Sequence, residues 1–180
     1  MSGGLTLVLG GARSGKSALA ERQCRALTPQ GRAPVYIATA QAWDDEMRAR
    51  IDLHRRQRAD AGWITIEEPT ELPGALRSAG GAAVLIDCLT LWVTNLMMAD
   101  LDDADVHARF DGLARALAGH EGPVVAVANE VGLGIVPDNA MARRFRDLAG
   151  RLNQQLAAQS DTVVFAAAGL PLVLKGKLAD

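Results

Sequence analysis

The residues with the clearest chemical meaning are eight near the start of the chain, which read Gly10-Gly11-Ala12-Arg13-Ser14-Gly15-Lys16-Ser17. Their spacing, G-x-x-x-x-G-K-S, is that of a loop that binds phosphate groups. An apolar, β-prone run precedes the loop and helix-forming residues follow it, which is the order of strand, loop and helix that such a site requires. The pattern predicts a nucleoside triphosphate site, whereas a turn that only joins a strand to a helix would leave the Lys-Ser pair unexplained.

The chemistry of this loop lies in its backbone and in two side chains. Gly10 and Gly15 allow backbone conformations that a Cβ atom would obstruct, so successive N–H groups can turn toward phosphate oxygens at the start of a helix. Lys16 is then expected to reach the β and γ phosphates. The hydroxyl of Ser17 is expected to bind the Mg²⁺ ion that accompanies the triphosphate.

A second group of candidate residues lies on a helix predicted at 44–58, which is acidic in its first turn and basic in its last, as the helix dipole favours. Arg50, His54 and Arg58 recur every four residues and therefore share one face. One interpretation is a solvated basic face. The other is an anion-binding face with a titratable nitrogen at its centre. Arg55 and Arg58 are candidate nucleotide ligands.

Two polar groups follow predicted strands, at the end where parallel sheets collect ligands. The first is Thr39-Ala40-Gln41, at the end of the strand predicted at 34–39. The second is Asp87, which ends an apolar run in the manner of a Walker B motif and is expected to supply a carboxylate to the Mg²⁺ ion. We expect its strand to lie beside that of the phosphate loop. The alternative is an ordinary aspartate that caps the following helix.

These candidates need a sheet to position them, and the rest of the chain predicts one. Apolar strands alternate with amphipathic helices, which is typical of a mostly parallel sheet with helices on both faces. The predicted strands are 5–9, 34–39, 63–68, 82–87, 124–128 and 162–168, the predicted helices are 15–27, 44–58, 71–78, 89–99, 105–118 and 137–159, and 169–175 is a candidate edge strand. We therefore expect an α/β chain with the P-loop NTPase fold and one domain, residues 1–180.

The amino-acid composition and the net charge indicate which kinds of binding partner to expect. The 180 residues carry a formal net charge of −2, which disfavours a protein that holds nucleic acid on a broad basic surface. The chain shows no signal peptide and no apolar run of the roughly 20 residues that a membrane span needs, so we expect a cytoplasmic protein.

Cys24 and Cys88 are expected in the core. An apolar helix with Trp92, Met97 and Met98 is expected to lie in the core or at a subunit interface. Because it is richer in apolar side chains than the outside of a lone small domain needs, we expect a homo-oligomer.

Taken together, the motifs resemble those of the bifunctional adenosylcobinamide kinase / adenosylcobinamide-phosphate guanylyltransferase family of cobalamin biosynthesis. They read GGARSGKS, YIATA, DDEMRARIDLHRRQR, W-x-T-x-E, VLIDCLTLWVTNL and NEVGLGIVPDNAMARRFRDLAGRLNQ, and they extend from Leu5 to Lys175. The resemblance implies two reactions. A nucleoside triphosphate phosphorylates the hydroxyl on the aminopropanol arm of adenosylcobinamide, and GMP is then transferred from GTP to that phosphate with release of pyrophosphate.

The resemblance also implies roles for particular residues. Guanylyl transfer in the family passes through a GMP-histidine intermediate, and His54 is the histidine in the matching motif. The nucleotide or metal site would further include Thr39, Ala40, Gln41, Glu67 and Asp87. Glu67 is a candidate acceptor for the N1 and N2 hydrogens of guanine. The resemblance also implies a homotrimer. The loop at 28–33 departs from the family pattern, because it is longer than in the most compact members.

Several questions stay open at this point. The phosphate donor is ATP or GTP, because a phosphate loop largely ignores the base. The corrinoid site and the role of Asn129-Glu130 are not indicated. Two other functions are compatible with parts of the pattern, namely a small-molecule kinase without guanylyl transfer and a nucleotide-binding module without turnover.

Overall fold

The computed structural model describes residues 3–41 and 45–179, apart from six side chains on one helix. These six belong to Glu46, Met47, Arg50, Leu53, His54 and Gln57. The side chain predicted to carry GMP, that of His54, therefore lies outside the described part of the chain. The backbone on either side of it is helical.

Within these ranges the chain forms seven strands and six helices. The strands are β1 (Leu5–Gly10), β2 (Val35–Ala38), β3 (Ile64–Glu67), β4 (Val84–Asp87), β5 (Val124–Asn129), β6 (Thr162–Ala167) and β7 (Leu170–Lys175). The helices are α1 (Lys16–Leu27), α2 (Asp45–Asp60), α3 (Leu72–Ser78), α4 (Leu89–Met98), α5 (Asp103–Ala118) and α6 (Ala140–Gln159). Each predicted strand and helix is present, and the candidate edge strand forms β7.

The strands form one sheet in the order β3-β2-β4-β5-β1-β6-β7. All neighbours are parallel except β7, which pairs antiparallel with β6. The predicted mostly parallel sheet is confirmed. The expectation that the strand of Asp87 lies beside the phosphate-loop strand is wrong, because β5 lies between β4 and β1. A crossover connection can skip a neighbour, and the motif does not encode how many strands it skips.

Side chains of the central strands alternate between two apolar cores, one on each face of the sheet. Leu7 and Leu9 of β1 belong to the core that contains the buried faces of α3 to α6. Val8 belongs to the other core, with Leu19 and Cys24 of α1. The expected placement of helices on both faces is confirmed.

Helix α4 is part of the core and not an outer surface. Trp92 is fully buried, packs on Phe110 with ring centroids 5.7 Å apart, and donates from its indole N–H to the carbonyl of Thr70 at 2.8 Å. Met97 is partly buried, and Met98 is exposed. Of the two expected placements, core and subunit interface, Trp92 therefore takes the core, because α5 covers this side of α4.

Both cysteines are buried, as predicted. Burial raises the pKa of the Cys24 thiol to about 12 and that of Cys88 to about 11. In the two described ranges, no helix has the length and apolar character that crossing a membrane would require.

Candidate nucleotide-binding site

The loop that follows β1 has a backbone that the motif's glycines make possible. Gly15, directly before α1, has a φ of 88°, and Arg13 has a φ of 55°, so the loop passes twice through the left-handed region. A Cβ atom on Gly15 would lie 2.9 Å from the Cα of Gly169, and one on Gly10 would lie 2.6 Å from the carbonyl oxygen of Ala166. Close backbone approach therefore restricts both positions to glycine.

The start of α1 and the adjoining turn define the space that the loop encloses. The N–H of Gly169 donates to the carbonyl of Ser14 at 2.9 Å, which holds the loop against the turn between β6 and β7. The ammonium group of Lys16 donates to the carbonyl of Gly11 at 3.1 Å, across the loop. A phosphate oxygen would compete effectively for this ammonium group, because charge-assisted hydrogen bonds are stronger than those to a neutral carbonyl.

A cavity of about 460 Å³ adjoins the loop and contains both residues predicted to hold the metal ion. Ser17 lies on its α1 side, and Asp87 lies at the end of β4, half-buried. Residues of α2 and α4, among them Arg58 and Leu91, complete the wall. The fold thus brings two motifs that are distant in the sequence to one cavity.

The three candidate residues that follow β2, Thr39, Ala40 and Gln41, occupy different environments. Thr39 is fully buried, and its hydroxyl donates to the carbonyl of Cys88 at 2.8 Å and accepts from the N–H of Cys88 at 2.8 Å. The carbonyl of Thr39 accepts from the side-chain amide of Asn95 at 2.8 Å. Ala40 lines the cavity, and Gln41 is half-buried next to it in the chain. The hydroxyl of Thr39 is therefore engaged by the backbone beside Asp87.

Helix α2 carries the predicted arginines, and the structure separates them. Arg58 lines the cavity, with its guanidinium carbon 4.2 Å from the centre of the Tyr36 ring and its Nε 3.5 Å from the hydroxyl of Thr65. Arg55 lies outside the cavity lining and pairs with Glu67 at the end of β3, at 3.5 Å. Both members of this pair are about half exposed, so the contact adds little to stability and is readily exchanged.

Tyr36 is a residue of the site that sequence reasoning missed. Its hydroxyl donates to Oδ2 of Asp87 at 2.8 Å, and its ring is buried. Tyr36 is the first residue of the YIATA motif, but that motif gives it no role. The pairing of β2 with β4, which brings the tyrosine to Asp87, is not visible in the sequence.

The segment whose role the sequence left open, Asn129-Glu130, lies between the phosphate loop and the strand of Asp87. Asn129 ends β5 in register with Gly10 of β1. Its N–H donates to the hydroxyl of Thr90 at 2.6 Å, and the N–H of Glu130 donates to the carbonyl of Gly10 at 3.1 Å. This segment therefore fixes the loop relative to the start of α4.

Comparison with known sequences identifies the family. Residues 6–174 match the family described as cobinamide kinase / cobinamide phosphate guanyltransferase. The chain belongs to this family. It is 47% identical over 173 residues to the bifunctional adenosylcobalamin biosynthesis protein CobP of Pseudomonas aeruginosa, with 95% of this chain and 97% of that protein covered. It is 40% identical over 185 residues to the bifunctional adenosylcobalamin biosynthesis protein CobU of Escherichia coli, with 95% and 99% covered.

Membership of the cobinamide kinase / cobinamide phosphate guanyltransferase family confirms the resemblance that the motifs indicated. It also confirms the expected enzyme class, a kinase and a guanylyltransferase in one chain of cobalamin biosynthesis. The match runs through all the elements that carry the site.

Solved structures of distant sequence share the fold. A KaiC-like protein, PH0186 from Pyrococcus horikoshii, superimposes with a TM-score of 0.51 at 12% identity, covering 91% of this chain and 71% of that one. The flagellar accessory protein FlaH of Methanocaldococcus jannaschii gives a TM-score of 0.51 at 13% identity, covering 98% and 80%. At such identities the likeness concerns the fold alone, and it agrees with the predicted α/β architecture.

Proposed function

We propose that one triphosphate site in this chain serves two successive reactions on adenosylcobinamide. The first phosphorylates the hydroxyl of its aminopropanol arm, and the second attaches GMP from GTP to that phosphate, giving adenosylcobinamide-GDP. The observation that carries this proposal is the cavity lined by both Ser17 and Asp87 and by residues of α2. Family membership supports the pair of activities.

In the kinase step, the oxygen of the acceptor hydroxyl attacks the γ-phosphorus of the triphosphate. A new P–O bond forms, the bond from the γ-phosphorus to the bridging oxygen breaks, the nucleoside diphosphate leaves, and the hydroxyl proton is released. The loop N–H groups and the Lys16 ammonium are proposed to hold the β and γ phosphates, and the start of α1 directly after the loop supports this role. Catalysis here is positioning and charge stabilisation.

A divalent metal ion fits the residues present. Ser17 offers a hydroxyl and Asp87 a carboxylate, which are the oxygen ligands that Mg²⁺ prefers, and both line the same cavity. Mg²⁺, when bound, would neutralise part of the triphosphate charge. We propose Ser17 and Asp87 as its protein ligands.

In the guanylyl step, a neutral imidazole nitrogen of His54 is proposed to attack the α-phosphorus of GTP. An N–P bond forms while the α-phosphorus loses its bond to the bridging oxygen, and pyrophosphate leaves. A phosphate oxygen of adenosylcobinamide phosphate then attacks the same phosphorus, breaks the N–P bond and regenerates the histidine. Arg58, which already lines the cavity, is proposed to stabilise the charge on the transferring group.

The two reactions require a repositioning of α2 or of the substrate. The β–γ and α–β bonds of one bound triphosphate do not face the same acceptor. Arg55 and Glu67 form an exposed contact that can be exchanged, and Glu67 is proposed to receive the N1 and N2 hydrogens of guanine when the pair opens. Because the phosphate loop does not read the base, ATP as well as GTP is a candidate donor for the kinase step.

The remaining proposals concern assembly and location. We expect a homo-oligomer, a trimer by resemblance to the family. Since Trp92 is buried, the proposed contact surface lies elsewhere. Exposed apolar side chains on β7, such as Leu170, Leu172 and Leu174, offer a surface that a second copy could cover. A triphosphate-dependent biosynthetic reaction is expected in the cytoplasm.

The proposal is tested with GTP labelled at either the α or the γ position and with adenosylcobinamide as acceptor. The two-step account predicts that γ label appears in adenosylcobinamide phosphate and that α label appears later in adenosylcobinamide-GDP. Transfer of γ label without α label would identify a kinase that lacks guanylyl transfer. Binding of GTP without either product would identify a nucleotide-binding module.

A further inference from the structure

The carboxylate of Asp87 has a defined partner on the neighbouring strand. The hydroxyl of Tyr36 donates to its Oδ2 at 2.8 Å, from β2 to the end of β4. An ionised carboxylate accepts hydrogen bonds and donates none, so the tyrosine hydroxyl must be the donor. This contact fixes one carboxylate oxygen and turns the other, Oδ1, to a defined direction.

The ring of Tyr36 is itself held on two sides. The guanidinium carbon of Arg58 lies 4.2 Å from the ring centre, and the Trp63 ring meets it edge to face with centroids 5.6 Å apart and planes at 89°. Trp63 is held in turn by Arg25, whose guanidinium carbon lies 4.8 Å from its ring centre. A ring that is buried and clamped in this way delivers its hydroxyl to one place.

The ring of Tyr36 and its contact with Arg58 do not depend on the hydroxyl, so the hydroxyl can be removed while the ring stays in place.

We propose that Tyr36 is a positioning residue, whose hydroxyl holds Oδ2 of Asp87 so that Oδ1 faces the metal ion of the bound triphosphate. The inference rests on the proposed metal role of Asp87 and goes beyond it, because it assigns the orientation of that carboxylate to a residue outside the proposed set of nucleotide and metal ligands. Tyr36 lines the same cavity as Asp87, and its hydroxyl is proposed to act through that carboxylate.

The test measures binding and not turnover. The affinity for GTP is determined by calorimetry with Mg²⁺ and in EDTA, and the ratio of the two affinities gives the gain due to the metal. Tyr36→Phe keeps the ring and its contacts but removes the hydroxyl. It is expected to lower this ratio by roughly tenfold, the effect of one hydrogen bond to a charged group, while the affinity in EDTA stays at the wild-type value.

The matched control is a variant that loses a hydrogen-bonded hydroxyl far from the site. Thr28 donates to the carbonyl of Cys24 at 2.7 Å, at the far end of α1 from the site. Thr28→Val is expected to leave the ratio unchanged. An equal fall of the affinity with and without metal in Tyr36→Phe would mean that the tyrosine supports the fold of the site, and would overturn the positioning role.

A double-mutant cycle with Asp87→Asn separates this inference from the proposed function. Asp87→Asn alone should lower the ratio, and adding Tyr36→Phe should then lower it no further. If Asp87→Asn leaves the ratio at the wild-type value, the metal role of Asp87 in the proposed function is wrong. If Asp87→Asn lowers the ratio and Tyr36→Phe does not, or if Tyr36→Phe lowers it by the same factor in both backgrounds, the positioning role is wrong.

Discussion

The hydroxyl of Thr39 and the backbone of Cys88 form a reciprocal pair of hydrogen bonds. The hydroxyl donates to the Cys88 carbonyl at 2.8 Å and accepts from the Cys88 N–H at 2.8 Å, in a fully buried position. Since Cys88 directly follows Asp87, this pair joins the end of β2 to the backbone beside the carboxylate that we propose as a metal ligand. Thr39 therefore positions the backbone next to Asp87.

Replacement of Thr39 by valine tests this structural role. The Cys88 carbonyl would keep its hydrogen bond from the N–H of Trp92 at 3.2 Å, but the Cys88 N–H would be left unpaired in the core. We expect the free energy of unfolding, measured by urea denaturation, to fall by about 1–3 kcal/mol. Thr39→Ser restores the hydroxyl and should recover most of this loss. Equal stability of the valine variant and the wild type would contradict the account.

A glycine series tests the geometry of the phosphate loop. Gly15→Ala combines a left-handed φ of 88° with a Cβ that would lie 2.9 Å from the Cα of Gly169, so we expect a stability loss at the upper end of about 1–3 kcal/mol. Gly31→Ala is the matched control, because its φ is 80° but its Cβ would meet open space. Gly11→Ala has neither problem. Urea midpoints should fall in the order Gly11→Ala, Gly31→Ala, Gly15→Ala, and equal midpoints for the last two would show that the contact with Gly169 costs nothing.

The phosphate loop and its partner carboxylate could be predicted because their signals are local. The G-x-x-x-x-G-K-S spacing determines a backbone shape that Gly10 and Gly15 make possible, and an apolar run that ends in Asp87 places a carboxylate at a strand end. The predicted start of the last helix, at residue 137, is less accurate. The structure begins α6 at Ala140, because the Asn139 side chain accepts from the N–H of Ala142 and caps it there.

What could not be predicted depends on which strands are neighbours. The contact of Tyr36 with Asp87 exists because β2 pairs with β4, and the separation of Asp87 from the phosphate-loop strand exists because β5 intervenes. The choice between core and subunit interface for Trp92 could not be predicted for a related reason, since an apolar helix has the same sequence pattern whether α5 or a second subunit covers it. The environment of Thr39 likewise follows from strand pairing and not from its motif.

The buried thiol of Cys24 predicts a loss of stability at alkaline pH. Burial raises its pKa from 9.0 to about 12, although Arg25 and Thr28 act in the opposite direction. Between these values the unfolded chain releases the thiol proton and the folded chain keeps it, so the free energy of unfolding falls as the pH rises above 9.0. Cys24→Ala lacks this group, and its stability should fall less steeply, by about 1.4 kcal/mol per pH unit above that pH. Parallel curves for the two proteins would contradict a buried, protonated thiol.

Lys16→Ala tests whether one triphosphate site serves both reactions. Because the same contacts with the β and γ phosphates serve phosphoryl and guanylyl transfer, both rates should fall by roughly 100- to 1,000-fold or more. Lys175→Ala removes a lysine whose ammonium group bonds the carbonyl of Ala158 at 3.0 Å, at the end of α6, and should leave both rates near wild type. Retention of either activity in Lys16→Ala would mean that a second nucleotide site exists.

His54 is proposed to carry GMP between the two substrates, and intact-mass spectrometry after incubation with GTP and Mg²⁺ tests this role. Wild-type protein and the His107→Ala control should gain the mass of one GMP, whereas His54→Ala should gain none. The variant should still phosphorylate adenosylcobinamide at a rate close to wild type, because that step needs no nucleophilic imidazole, while its guanylyl transfer should fall by several orders of magnitude. A GMP adduct on the His54→Ala protein would contradict the assignment and direct the search to His107, His120 or a lysine.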